Sequence, residues 1–169
     1  MIWSDSSPAA RMRLSYYVKC GELFRIRRGI YAKDKNYSKL ELASRIFTPA
    51  YVSFETVLGK AGITFQYYSQ IFVASYLTRE ILCDNQKFSF RKMKKIVMSD
   101  AVGVENENNC AMATKERAFL DVLYVSKDYH FDNLSPLDWG RVFEILPIYG
   151  NRRMDKKVKE IYENFKSKK

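Results

Sequence analysis

GELFRIRRGIY, residues 21–31, sets three arginines into an apolar alternation directly behind a helix-forming segment. In an extended strand successive side chains point to opposite faces. Leu23, Arg25 and Arg27 therefore fall on one face and Phe24, Ile26 and Arg28 on the other. Phe24 and Ile26 are expected to pack inward, with Arg25 and Arg27 turned out. Gly29 can take the positive φ of a tight turn, so Ile30 and Tyr31 start a return strand. The segment reads as a hairpin with a cationic tip.

Upstream, Ser7 before Pro8 is a helix start, because a serine oxygen accepts a free N–H and proline suits the first helical position. A helix is expected over residues 8–20, with Gly21 as its C-terminal cap. Ala10, Leu14, Tyr17 and Val18 form one stripe at i, i+4, i+7, i+8, while Arg11, Arg13, Ser15 and Lys19 lie off it. A basic helix followed by a basic hairpin is the make-up of a winged-helix-like unit, which grips DNA through base edges and phosphates.

The chain has 169 residues, a formal net charge of +10 and 47% hydrophobic residues, enough apolar material for a folded core. Residues 1–45 carry 10 Lys+Arg against 4 Asp+Glu, residues 151–169 carry 8 against 3, and the middle carries 11 against 12. The excess at the two ends points to local polyanion-binding surfaces. Three cysteines, Cys20, Cys83 and Cys110, include no CxxC pair, which argues against a disulfide scaffold and a zinc ribbon, and fits a reducing cytoplasm. No apolar run approaches the roughly 20 residues of a membrane span, and no signal-like core follows Met1. No membrane partner is expected.

Ser38 opens a second helix with Glu41 completing a capping box, and Leu42, Ile46 and Phe47 form its buried side ahead of Pro49. A domain boundary is placed between residues 37 and 49, giving units 1–45 and 46–169. YVSFETVLGKAGITFQ, residues 51–66, reads as an extended entry, a helix begun by Ser53 and a stop near Gly62. Residues 71–75, 86–91 and 95–98 are expected to be strands of one mixed or antiparallel sheet. Residues 99–109 read as a surface loop or weak hairpin, and 111–113 as the approach to a helix capped by Thr114 that buries Phe119, Leu120, Leu123 and Tyr124. Further helices are expected over 138–146 and 152–165, the latter with Met154, Val158, Ile161, Tyr162 and Phe165 on one stripe, and the tail 166–169 is expected to fray. The fold class is α+β.

Enzymatic chemistry has little to stand on. A single histidine, His130, in a turn-like YHFDN, excludes most histidine-based triads and multi-histidine metal centres. The seven glycines form neither GxxxxGK nor a GxGxxG after a strand. No catalytic residue, metal site or cofactor is assigned.

Four blocks taken in order, RIRRGIY (25–31), YVSFETVLGKAGITFQ (51–66), FSFRKM (88–93) and ATKERAFLDVLY (113–124), resemble the AbiE-type antitoxins of phage-defence, abortive-infection toxin–antitoxin systems. The resemblance spans roughly residues 20–125. It implies an N-terminal winged helix that represses the system's own promoter and a C-terminal domain that counteracts a nucleotidyltransferase-like toxin, in type IV fashion without a required stable complex. It puts contact with double-stranded DNA on Arg11, Arg13, Lys19, Arg25, Arg27 and Arg28. It puts antitoxin activity on the region holding Tyr51, Ser53, Glu55, Thr114, Glu116 and Asp121. The chain departs from the family pattern at Lys115, where proline is usual, and in having almost nothing ahead of residue 8 where the family has further helices. A winged helix without its first helix would expose the stripe of Ala10, Leu14, Tyr17 and Val18 unless the second domain or a partner chain covers it. Asp121 reads foremost as a partly buried acid paired with a nearby base, and Glu116 as a charge serving the helix N-terminus. Two other readings remain open: a protein-interaction module without DNA binding, and an enzyme acting on nucleic acid through a carboxylate such as Asp121.

Overall fold

Two sheets of unequal size organise the chain. The computed structural model describes residues 2–3, 8–126 and 128–167. Strand β1 (Ile2–Trp3), helix α1 (Pro8–Lys19) and the hairpin β2 (Phe24–Arg27) and β3 (Ile30–Ala32) form the smaller unit, with strand order β1-β3-β2. Ser7, the expected cap of α1, lies outside the described residues, as do Lys168 and Lys169 of the tail. Gly29 sits at the hairpin turn with φ 81°. The register slips between Arg25 and Arg27, a bulge that interrupts the simple alternation. On α1 only Leu14 of the expected stripe is buried; Ala10 and Val18 are half-buried and Tyr17 keeps 40% of its surface.

Helix α2 (Lys39–Ile46) begins where its cap dictates, Ser38 Oγ accepting from the Glu41 N–H at 3.3 Å. It straddles the boundary expected at residue 45, and its Leu42 and Ala43 belong to the core built on the larger sheet. That sheet has six strands: β4 (Ala50–Val52), β5 (Ile71–Ser75), β6 (Arg79–Cys83), β7 (Gln86–Lys92), β8 (Val104–Glu107) and β9 (Cys110–Ala113), in the order β6-β7-β5-β4-β9-β8. It is mixed, since β5 pairs with β7 and β4 with β9 in parallel while the other neighbours are antiparallel. The class is α+β with a mixed sheet. Residues 76–78 carry the chain past the slot that β7 later fills, roughly two strand spacings of ~4.8 Å, within reach of three extended residues.

Several expectations are corrected. Residues 95–98, expected as a strand, form helix α4 (Lys95–Ser99), which buries Val97 and offers the Val97 carbonyl to Arg117. Residues 111–113 lead into the Thr114-capped helix as expected but do so as strand β9, and the polar stretch before them takes the hairpin alternative of the reading, β8–β9. Strand β6 has no counterpart in the sequence reading. Both hairpins of the larger sheet turn on two residues of positive φ, Asp84-Asn85 (47°, 63°) and Asn108-Asn109 (49°, 63°), the backbone that matches strand twist. Ser53 does not start helix α3 (Glu55–Lys60): Phe54 holds the cap position at φ 56°, ψ −140°, while the serine hydroxyl turns inward.

Helix α5 (Lys115–Val125) starts at Thr114, whose hydroxyl accepts from the Arg117 N–H at 3.3 Å. Helix α6 (Trp139–Ile145), capped by Asp138, runs into a 3-10 turn (Leu146–Tyr149), and helix α7 (Arg152–Lys166) is capped by Asn151. Paired residues share a face, so Tyr51 and Ala74 stand on the side of the sheet where α5 packs, with Phe72 and Arg91. Val52, Val73 and Phe90 stand on the other, where Phe47 meets Phe90 with ring centroids 4.8 Å apart. Trp139 joins α5, α6 and α7, its ring 5.9 Å from Phe119, 4.9 Å from Tyr162 and 5.6 Å from Phe165. Phe119 is wholly buried, and burial of such a side chain contributes about 1.5–3 kcal/mol.

Candidate functional site

Arg11, Ser15 and Val18 lie at i, i+4 and i+7 on α1 and so share one face of that helix. Arg25 pairs with Tyr31 across the hairpin, which puts both on one face of the ribbon. Together with Arg28 and Gly29 at the hairpin tip, these residues line a cleft of 460 Å³ whose lining, among the described residues, includes no acid. Arg25 and Arg28 are exposed, and among the described residues no ion pair engages either of them, nor Arg13 or Lys19. Arg13 is two residues on from Arg11, about 200° round the helix, and faces away from the cleft; Lys19, about 80° round, flanks it. Arg27 goes elsewhere: it is half-buried, with its guanidinium 5.7 Å above the Phe47 ring. Three guanidiniums around one concave surface suit an anion with several oxygens, because each presents a planar fork of donors.

The residues expected to mark antitoxin activity gather in the interior. Asp121 is fully buried on α5, one turn from the fully buried Arg117. Its carboxylate accepts from Ser53 Oγ at 2.7 Å, Tyr149 Oη at 2.6 Å and Tyr51 Oη at 3.2 Å, and Arg117 Nε stands 3.5 Å away. Arg117 in turn donates to the carbonyls of Val97 and Val102, both at 2.7 Å, and to Tyr51 Oη at 3.3 Å. Burial pushes the Asp121 carboxyl above its usual range, against the pull of Arg117 and the three hydroxyls. Burial also holds the Tyr51 and Tyr149 phenols protonated far above their ordinary range. Five side chains and two carbonyls thus bind the sheet, α4, α5 and the 3-10 turn into one internal brace. Gly103 completes it: at φ 74°, an added Cβ would stand 2.9 Å from Ile145 Cδ1 and 3.0 Å from Arg117 Cβ.

Glu55 is buried and salt-bridged to Arg91, Nη1 to Oε2 at 2.9 Å, and the Arg91 guanidinium lies 4.3 Å over the Phe72 ring and 4.9 Å over Phe54. Glu116 is also buried and accepts from the Asp138 N–H at 3.2 Å, which links α5 to the start of α6. Thr114 serves as the α5 cap. The polar atoms of Tyr51, Ser53, Glu55, Glu116 and Asp121 are therefore turned toward other parts of the same chain. His130 is exposed. Among the described residues no group of three or more His, Cys, Asp or Glu is placed to hold a metal ion, and no helix is long and apolar enough to cross a membrane.

Three features went unread in the sequence. Arg117 was legible from its i, i+4 spacing to Asp121, a helical ion-pair signature. Tyr149 and Arg91 come from distant segments and carry no local signal. Phe65 and Tyr67 stand 71% and 88% exposed on residues 63–70, beyond the stop near Gly62, where the sequence assigned them no role. Comparison with protein-family models and with curated proteins finds no match to this chain.

Proposed function

We propose that the chain is a DNA-binding antitoxin of a phage-defence toxin–antitoxin system, which represses its own operon and counteracts a nucleotidyltransferase-like toxin in the cytoplasm. The observation that carries the DNA half is the placing of Arg25 and Arg28, both exposed, on one cleft that Arg11 of the preceding helix also lines. The winged-helix-like assignment of residues 1–45 is supported by a strand, a helix and a hairpin in that order, since a helix and a two-stranded ribbon are the elements the major groove admits. Arg13 and Lys19 extend the cationic surface along α1, whereas Arg27 contributes packing over Phe47. The antitoxin half, assigned to residues 46–169, is supported by the four ordered sequence blocks. In this reading Tyr51, Ser53, Glu55, Thr114, Glu116 and Asp121 hold the domain in shape, and the toxin is met, or its action opposed, by the surface they support. No cofactor or metal enters.

A reporter driven by the operon's upstream region tests the assignment. The full chain should repress it, and Arg25→Glu/Arg28→Glu should relieve repression while leaving growth rescue against the toxin intact. Unrepressed expression with the unaltered chain removes the regulator half, and failure to rescue growth removes the antitoxin half. A second reading, a partner-binding module without DNA contact, is favoured by Met12 and Tyr16, one turn apart on α1 and 75% and 62% exposed. Rescue without repression, lost on Met12→Ser/Tyr16→Ser, would support it.

A further inference from the structure

We propose that the rim formed by residues 63–68 and 128–135, with the adjoining face of α7, binds single-stranded nucleic acid, bases stacking on Phe65 and Tyr67 and phosphates meeting Arg153, Lys156 and Lys157. The inference is independent of the duplex-binding assignment and concerns the other end of the chain.

Phe65 and Tyr67 keep 71% and 88% of their surface in water, yet they do not hang from an untethered loop. The Ile63 carbonyl accepts from the Asp132 and Asn133 N–H groups at 3.0 and 3.1 Å, and the Phe65 N–H donates to Asp132 Oδ2 at 2.8 Å. Tyr68 donates to Gln66 Oε1 at 2.8 Å and lies edge-on to Phe72 at 5.3 Å. Two aromatic rings are thus displayed on a braced backbone, an arrangement that leaves apolar surface uncovered unless a ligand covers it.

Asp132, the residue that ties Phe65 down, also lines a cleft of 430 Å³ with Tyr129, Phe131, Asn133, Lys157 and Asn164, a volume within the range that takes a small organic group such as a nucleobase. Lys157 is shared with a neighbouring depression of 380 Å³ that adds Arg153 and Lys156, alongside Asp128 and Glu160. Helix α7 carries six basic residues against three acidic ones, so phosphates passing along it meet a net positive surface. Exposed aromatics beside a cationic track are what unpaired bases require, because every base has a π-face that a duplex hides inside its stack. The adjoining cleft mixes Phe131, Leu134 and Ile161 with Asn133, Ser135, Asn164 and Lys157, so flat apolar faces and hydrogen-bonding groups lie side by side as a nucleobase needs.

The test is fluorescence anisotropy on the full chain with a labelled mixed-sequence RNA of about 10 nucleotides, its DNA counterpart and the matched duplex, a length within the site size of small single-strand binders. Arg25→Glu/Arg28→Glu should leave single-strand affinity unchanged while weakening duplex binding. Phe65→Ala/Tyr67→Ala should weaken single-strand affinity roughly tenfold or more and leave the duplex unaffected. Lys156→Glu/Lys157→Glu should weaken it as well and flatten its salt dependence. Both aromatic side chains are exposed, so an unchanged melting temperature verifies the fold of the variant. Single strands left unbound by the Arg25→Glu/Arg28→Glu chain, or bound equally by Phe65→Ala/Tyr67→Ala, would overturn the proposal. So would loss of binding to purified toxin through that same substitution when the unaltered chain binds no single strand, which would assign the rim to a protein.

Discussion

Replacing Asp121 with alanine tests the internal brace, and the structure fixes what the replacement leaves behind. The substitution removes the carboxylate that faces Arg117 and accepts from Ser53, Tyr51 and Tyr149, all of them buried. Arg117 would keep its two backbone carbonyls but face no counter-charge, and two hydroxyls would lose their short hydrogen bonds. Breaking one side of a buried ion pair costs about 3–5 kcal/mol, because the surviving charge stays desolvated. For a chain of this size a kcal/mol moves the melting temperature by about 2–4 °C, so Asp121→Ala should lower it by roughly 6–20 °C. Urea unfolding followed by circular dichroism gives the free energy directly. The double variant Arg117→Met/Asp121→Leu should be less destabilised than the sum of its single changes, since removing both charges leaves neither orphaned. A loss below about 1 kcal/mol for Asp121→Ala, or strict additivity in the cycle, would refute the reasoning.

Further expectations follow from other parts of the molecule. Gly103→Ala should destabilise by about 2–4 kcal/mol, combining the left-handed backbone with overpacking against Ile145 and Arg117, and thermal melting reads the loss. Burial and the nearby Glu55 push the Tyr129 phenol up to about 12. The folded chain then holds that proton where the unfolded chain, with its ordinary value near 10, has lost it. Tyr129 should therefore stabilise the fold below pH ~10 and cease to do so as the pH rises toward ~12, and Tyr129→Phe should remove that part of the alkaline decline as well as the matching step in a phenolate absorbance titration. Arg27→Ala should leave duplex affinity nearly unchanged, because its guanidinium lies over Phe47, while Arg25→Ala should weaken binding and reduce the salt slope by about 0.9.

How much of the fold could be read in advance depended on how local its cause was. The α2 and α5 starts follow from Ser38 and Thr114, whose hydroxyls meet N–H groups three residues on, and the α7 stripe follows from helical spacing alone. Residues 95–98 failed as a strand because β-branched character is a weak signal, overridden when Val97 is buried and its carbonyl taken by Arg117. Strand β6 was hidden because Arg79, Glu80 and the 67%-exposed Leu82 blur its alternation, although Asp84-Asn85 marks the turn. Arg25 and Arg28 were legible as sequence neighbours, and their meeting with Arg11 in one cleft depends on how the helix and hairpin pack. The bulge that sends Arg27 to Phe47 breaks a period-2 pattern that the sequence displays without interruption. Asp121 was legible as a paired acid, but not its three hydroxyl donors, which come from β4, the residue after it and the 3-10 turn.

The cationic cleft between α1 and the hairpin is the centre of the account, and titration of the operon's upstream duplex across a series of salt concentrations examines it most directly. The account predicts preference for that duplex over random sequence, affinity that falls log-linearly with salt, and a slope shallower by about 1.8 in Arg25→Glu/Arg28→Glu, two phosphate contacts fewer. Equal binding of both duplexes, or a slope that the double substitution leaves unchanged, would contradict it.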